Sequence, residues 1–158
     1  MYSIRPMLGE DRSAIIDIVQ KTGMFSPAEI EIAVELIDTW LDKPEQKDYI
    51  IFSAHKNGQA AGYVCFGPTP GTQGTWDLYW IAVAPSLQGF GIGAQLQSAA
   101  EKEIQEKGGR LVVIETSSTE KYLPTRAFYE KKGYTIEARI RDFYRPGDDK
   151  LIYVKKLQ

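Results

Sequence analysis

Apolar positions along the chain recur with two periods, and the alternation between them lays out the elements. Ile15, Ile18 and Val19 fall on one face of a helix predicted over Glu10 to Lys21, with Gly23 as its stop. A second helix opens at Ser26-Pro27-Ala28-Glu29. Serine caps, proline occupies the first turn, Glu29 completes a capping box, and Ile30, Val34, Ile37 and Leu41 form the apolar face to about Asp42. Period-two runs predict strands at Tyr2 to Arg5, Asp48 to His55 and Gln59 to Phe66, the last two joined by the hairpin turn Lys56-Asn57-Gly58. Prolines and glycines make Gly67 to Gly74 a loop, and a strand ending at Val83 follows.

A helix from about Gly91 to Lys107 carries Ile92, Leu96, Ala99, Ala100 and Ile104 at helical spacing and ends at Gly108-Gly109. Arg110 to Thr116 is a strand whose Val112-Val113-Ile114 run suggests burial on both faces. Pro124 to Lys132 is a short helix stopped by Gly133. Tyr134 to Tyr144 and Lys150 to Lys156 are the last strands, joined by a turn at Arg145-Pro-Gly-Asp-Asp149. The expected class is α/β in the α+β sense: a mixed, mostly antiparallel sheet with about four helices and one parallel βαβ crossover, forming a single domain over residues 1–158.

Composition narrows the function classes. A net charge of -2 argues against nucleic acid as an electrostatic partner. No apolar run approaches the ~20 residues that span a membrane, and Met1-Tyr-Ser-Ile-Arg-Pro does not read as a signal peptide. Cys65 is the only cysteine, reads as a small buried hydrophobe, and leaves a cytoplasmic location as the expectation. His55, the only histidine, sits beside the hairpin turn and reads as a surface residue.

The candidate chemistry lies after the strand at Trp76 to Val83. Gly89, Gly91 and Gly93 let the backbone approach a ligand, and the helix that opens there offers free N–H groups and a positive dipole end, an arrangement that binds phosphate. Two patterns fit the same residues. Gly89-x-Gly91-x-x-Ala94, with Glu115 about 20 residues on, matches a dinucleotide fingerprint. Gln88-x-x-Gly91-x-Gly93 resembles the coenzyme A loop of the GNAT superfamily of N-acetyltransferases. Context favours the second. Ala84 to Gln88 separate strand from loop, and too few elements follow for a doubly wound sheet. Thr125-Arg-Ala-Phe128-Tyr129-Glu-Lys-Lys-Gly133-Tyr134 is also similar to the helix and turn of that superfamily.

The resemblance implies acetyl-CoA as cosubstrate, a primary amine on a small molecule or peptide as acceptor, direct attack with no metal, and leaves a homodimer open. It implies that Gln88, Gly89, Phe90, Gly91, Ile92, Gly93 and Ala94 wrap the pyrophosphate and that the backbone of Ile81, Ala82 and Val83 pairs with the pantetheine arm. Tyr129 matches the tyrosine that protonates the leaving thiolate, and Asp77 falls where some relatives carry a base. The chain departs from the pattern at Tyr122, where many relatives have asparagine. A non-catalytic acyl-CoA-binding or regulatory module is the alternative reading. Glu115 ends a strand where it touches substrate or faces water, and Met24, Phe25 and Trp40 line an acceptor pocket or belong to the core.

Overall fold

The computed structural model describes residues 2–158; Met1, where the N-terminal reading begins, lies outside the described residues. The elements are β1 (Ser3–Pro6), α1 (Arg12–Lys21), α2 (Pro27–Asp42), β2 (Ile50–Lys56), β3 (Gln59–Pro68), β4 (Thr75–Val83), α3 (Ile92–Glu106), β5 (Leu111–Ser117), α4 (Leu123–Lys131), β6 (Thr135–Arg145) and β7 (Asp148–Lys156). Single 3-10 turns precede α1 and α4 and follow β4. They form one sheet of order β1-β2-β3-β4-β5-β7-β6. The β4–β5 pair is parallel, with α3 as its crossover, and the other pairs are antiparallel. This is the expected mixed sheet.

Local chemistry sets the starts and turns. Ser26 Oγ accepts from the Glu29 N–H at 3.2 Å and Glu29 Oε1 accepts from the Ser26 N–H at 3.0 Å, closing the capping box of α2. Asn57 and Gly58 both take positive φ, 53° and 78°, which suits a tight hairpin between β2 and β3. The helices cover the sheet from two sides. α1 and α2 bury Ile15, Ile18, Val19, Ala33, Leu36 and Ile37 with Ile51, Tyr63, Cys65 and Ala82. On the other face α3 and α4 pack Leu96, Ala100, Ile104 and Tyr129 against Val64, Phe66, Trp76, Leu78, Val112 and Ile114.

Three expectations need correction. Gly67 and Pro68 continue β3 instead of opening a loop, because the Asp48 carbonyl lies where a Cβ at Gly67 would stand and only glycine admits that approach. Val113 is half-buried and Glu115 exposed while Val112 and Ile114 are buried, so the middle of β5 is fully covered on the α3 face only. His55 is 5% exposed, not a surface residue. Its Nε2 lies 3.0 Å from Asp11 Oδ1, in a cluster where Asp11 also accepts from Arg5 and from the Leu8 N–H. Burial pushes the Asp11 carboxyl up, but these donors outweigh it and bring it down to about 2. Cys65 is buried, as its apolar surroundings suggested.

Candidate active site

The site begins with a break in the parallel pair. β4 and β5 are matched from Thr75↔Leu111 to Asp77↔Val113 and no further, although β4 runs on to Val83 and β5 to Ser117. A bulge explains the parting. β3 residues Cys65 and Phe66 oppose Trp80 and Leu78, so Tyr79 is an extra residue in β4. Packing records it: Leu78 faces the α3 side, Tyr79 and Trp80 in succession face the α1–α2 side, and Ile81 and Val83 return to the α3 side. Beyond Asp77, one backbone edge of β4 including Ile81, Ala82 and Val83 has no strand partner. That leaves N–H and C=O groups free to pair with an extended ligand.

At the top of this gap lies the glycine loop. Gly89 and Gly91 have φ of 87° and 83°, and a Cβ on either would meet nothing within 4 Å, so the loop faces open space. Gly91 is the left-handed N-cap of α3. Among the described residues no backbone carbonyl accepts from Gly89, Phe90 or Gly91, and Ile92, Gly93 and Ala94 are the first three helical residues, whose N–H groups have no intrahelical partner. Six consecutive N–H groups are thus free at a positive dipole end, which suits a pyrophosphate. Gln88 turns back, its Nε2 donating to the Val83 carbonyl at 3.2 Å and tying loop to strand. Phe90 is 66% exposed at the loop tip. A Cβ at Gly93 would make ordinary contact with Phe128 and Val83, which seats α3 close to α4.

Asp77 stands at the vertex of the gap on the α1–α2 face. Burial raises its carboxyl above the ordinary carboxylate range; the Thr69 hydroxyl, donating at 2.7 Å, opposes this, and the charge of Glu115 adds to it. Glu115 is on the same face of β5, two residues past the last matched pair. Its Oε2 lies 3.1 Å from Lys150 Nζ, which also sits 3.8 Å above the Phe143 ring. Sequence reading left Glu115 undecided and missed Lys150. The alternation of β5, combined with the parallel register, would have put Glu115 beside Asp77; nothing local identifies Lys150.

Tyr129 is on α4, on the opposite face. It is 6% exposed, and burial alone raises its phenol, so it stays protonated at neutral pH. Its ring lies 5.6, 6.0 and 6.2 Å from those of Phe128, Tyr134 and Tyr153. Around the Asp77 side, Phe25 packs edge-on against Trp80 at 5.7 Å, and Tyr79 likewise against Tyr49 at 5.7 Å. Trp40 instead packs in the core, donating to the Met7 carbonyl at 2.9 Å. Tyr122 donates to the Met24 carbonyl at 2.8 Å, pinning the bend between α1 and α2. Arg126 donates to the carbonyls of Ser117 and Thr119, so its guanidinium closes the end of β5.

Known proteins share the family and the fold. The model of the acetyltransferase (GNAT) family matches residues 15–134. A GNAT-family protein from Desulfovibrio desulfuricans superposes with a TM-score of 0.95, at 43% identity over 99% of each chain. PaiA N-acetyltransferase from Thermoplasma acidophilum, solved in complex with coenzyme A, shares the fold with a TM-score of 0.74 at 19% identity, covering 99% of each chain. A mycothiol acetyltransferase from Arthrobacter sp. (strain FB24) is 26% identical over 108 residues, 66% of this chain. The match spans about a third, 32%, of that relative's length.

Proposed function

The chain belongs to the acetyltransferase (GNAT) family of enzymes, and from that premise we propose that it transfers an acetyl group from acetyl-CoA to a primary amine. The observation that carries the proposal is the parted β4–β5 pair with six free N–H groups at its top. When bound, acetyl-CoA supplies an acetyl thioester.

The chain's own residues do the rest. The N–H groups from Gly89 to Ala94 hold the pyrophosphate, and the open edge at Ile81 to Val83 orients the pantetheine arm. A strand N–H at that edge also faces the charge that develops on the carbonyl oxygen. Asp77 takes the proton that an ammonium must lose before it attacks; burial makes its carboxylate a stronger base than an exposed one. Tyr129, kept protonated by burial, returns a proton to the sulfur. The placement of Asp77 and Tyr129 on opposite faces of the sheet supports their serving opposite ends of one transfer.

The test has two parts. Calorimetric titration with acetyl-CoA is expected to show binding, with NAD as the non-binding control. Release of coenzyme A is then followed across a panel of amino acids, polyamines, aminoglycosides and peptides with free N-termini. Acetyl-CoA binding with no release on any amine favours a regulatory acyl-CoA-binding module. NAD binding without acetyl-CoA binding refutes the cosubstrate.

A further inference from the structure

Tyr134 connects the helix that opens at the glycine loop to the tyrosine proposed as proton donor. Its ring is 2% exposed and lies 6.0 Å from that of Tyr129. Its hydroxyl accepts from Gln97 Nε2 at 2.7 Å and donates to Glu101 Oε2 at 2.9 Å. The other Glu101 oxygen accepts from Lys155 Nζ at 2.7 Å. Gln97 Nε2 donates to Glu101 as well, at 3.1 Å. Gln97 is fully buried, and its Oε1 has no partner among the described residues. An unpaired buried carbonyl is costly, yet the chain accepts it while directing the amide nitrogen at Tyr134 and Glu101.

On the other side of Tyr129, the Tyr153 ring lies at 6.2 Å, and its hydroxyl donates to Glu130 Oε1 at 3.2 Å. Both flanking tyrosines are therefore tied by their hydroxyls, whereas only burial acts on the Tyr129 phenol. The Tyr134 and Tyr153 hydroxyls and both Glu101 oxygens are satisfied, and these bonds fix the two rings that flank Tyr129. Gln97 is five residues after Ile92, about 7.5 Å along α3 from the glycine loop. One helix thus holds both the loop and the wall against which Tyr129 rests.

We propose that Tyr134, anchored by Gln97, Glu101 and Lys155, is a positioning residue that aims the Tyr129 hydroxyl at the thiol sulfur of coenzyme A bound in the β4–β5 gap. The proposal rests on the reading of Tyr129 as proton donor. It is tested without an acceptor, through the thiol of bound coenzyme A. A hydroxyl donating to a thiolate favours the charged form and lowers the thiol pKa.

The ultraviolet absorbance of the thiolate is titrated in coenzyme A complexes of the wild type, Tyr129→Phe, Tyr134→Phe and the double variant. Tyr129→Phe is expected to raise the bound thiol pKa by about one unit. Tyr134→Phe should raise it by more than half as much, and the double variant no further than Tyr129→Phe alone. An unchanged thiol in Tyr134→Phe, or a Tyr134→Phe shift that persists in full without Tyr129, overturns the positioning role. An unchanged thiol in Tyr129→Phe overturns the proton donor itself, and the two failures are distinct.

Should Tyr134→Phe not fold, the Glu101 pair carries the test. Glu101→Gln keeps an oxygen for the Tyr134 hydroxyl but loses the Lys155 bond and is expected to shift the thiol pKa by clearly less than Glu101→Ala, which shifts it as Tyr129→Phe does, in part or whole. Equal shifts in the two Glu101 variants refute the proposal.

Discussion

Gly91 and Gly58 form a natural control pair for the glycine loop. Both hold positive φ, 83° and 78°, and a Cβ on either would meet nothing within 4 Å. Alanine at either site therefore carries the same cost, about 1–2 kcal/mol for a left-handed L residue, with no clash added. At Gly58, in the β2–β3 turn, that cost can appear only as lost stability. At Gly91 it is divided. The loop either stays left-handed and loses stability, or relaxes in the free protein and must be restored when ligand binds. The two losses sum to the same 1–2 kcal/mol, and each 1.4 kcal/mol in binding is tenfold in affinity. Urea unfolding and coenzyme A calorimetry on both variants measure the two parts. Gly58→Ala should lose stability and keep full affinity. Gly91→Ala should lose affinity by up to about 30-fold, with whatever strain remains seen in unfolding. Equal affinity losses in both variants, or full affinity and full stability in Gly91→Ala, would refute the loop's role.

Three other perturbations have signed outcomes. Asp77→Asn should cut turnover by about 10²–10⁴ and remove the ascending limb of kcat/KM against pH. Glu115→Gln should retain turnover and move that limb to lower pH, because it removes a charge that raises the Asp77 carboxyl; loss of turnover in Glu115→Gln alone would transfer the base to Glu115. For stability, the Asp11 carboxyl drops from 3.8 to about 2 on folding, worth about 2 kcal/mol at neutral pH. A carboxyl lowered by folding stabilises above its unfolded pKa and loses that contribution as pH falls through the folded one. Asp11→Asn should therefore be less stable than wild type at pH 7 by about that amount, with the gap closing towards pH 2. A gap that does not change with pH would mean that lost packing, not charge, is responsible.

The sequence was most legible where a few neighbouring residues decide the structure. The Ser26–Glu29 capping box and the Asn57-Gly58 turn are local, and both stand where they were read. Residues whose state depends on distant partners were not legible. His55 has the context of a surface turn, and only Asp11, 44 positions earlier, draws it inside. Val113 has the neighbours of a fully buried strand, but α1 and α2 pack on β2 to β4 and leave that face of β5 open. At the candidate site the glycine loop was visible because glycine spacing is local. The pairing of Asp77 with Glu115 was not, since it needs the parallel register.

The extra residue at Tyr79 is the structural cause from which the site follows. In an unbroken parallel pair, the β4 edge at Ile81 to Val83 would bond to β5 and offer nothing to a ligand. The bulge stops the pairing at Asp77↔Val113, and the same insertion reverses the side-chain alternation. Tyr79 and Trp80 then both lie on the α1–α2 side, where Phe25 and Tyr49 meet them. Ile81 and Val83 return to the α3 side, below the glycine loop. One inserted residue thus opens the backbone edge proposed to pair with the cosubstrate and gathers aromatic side chains on the opposite face. Deleting Tyr79 would restore the regular alternation between Leu78 and Trp80, keep Trp80 on the α1–α2 face in its register with Cys65, and close the edge.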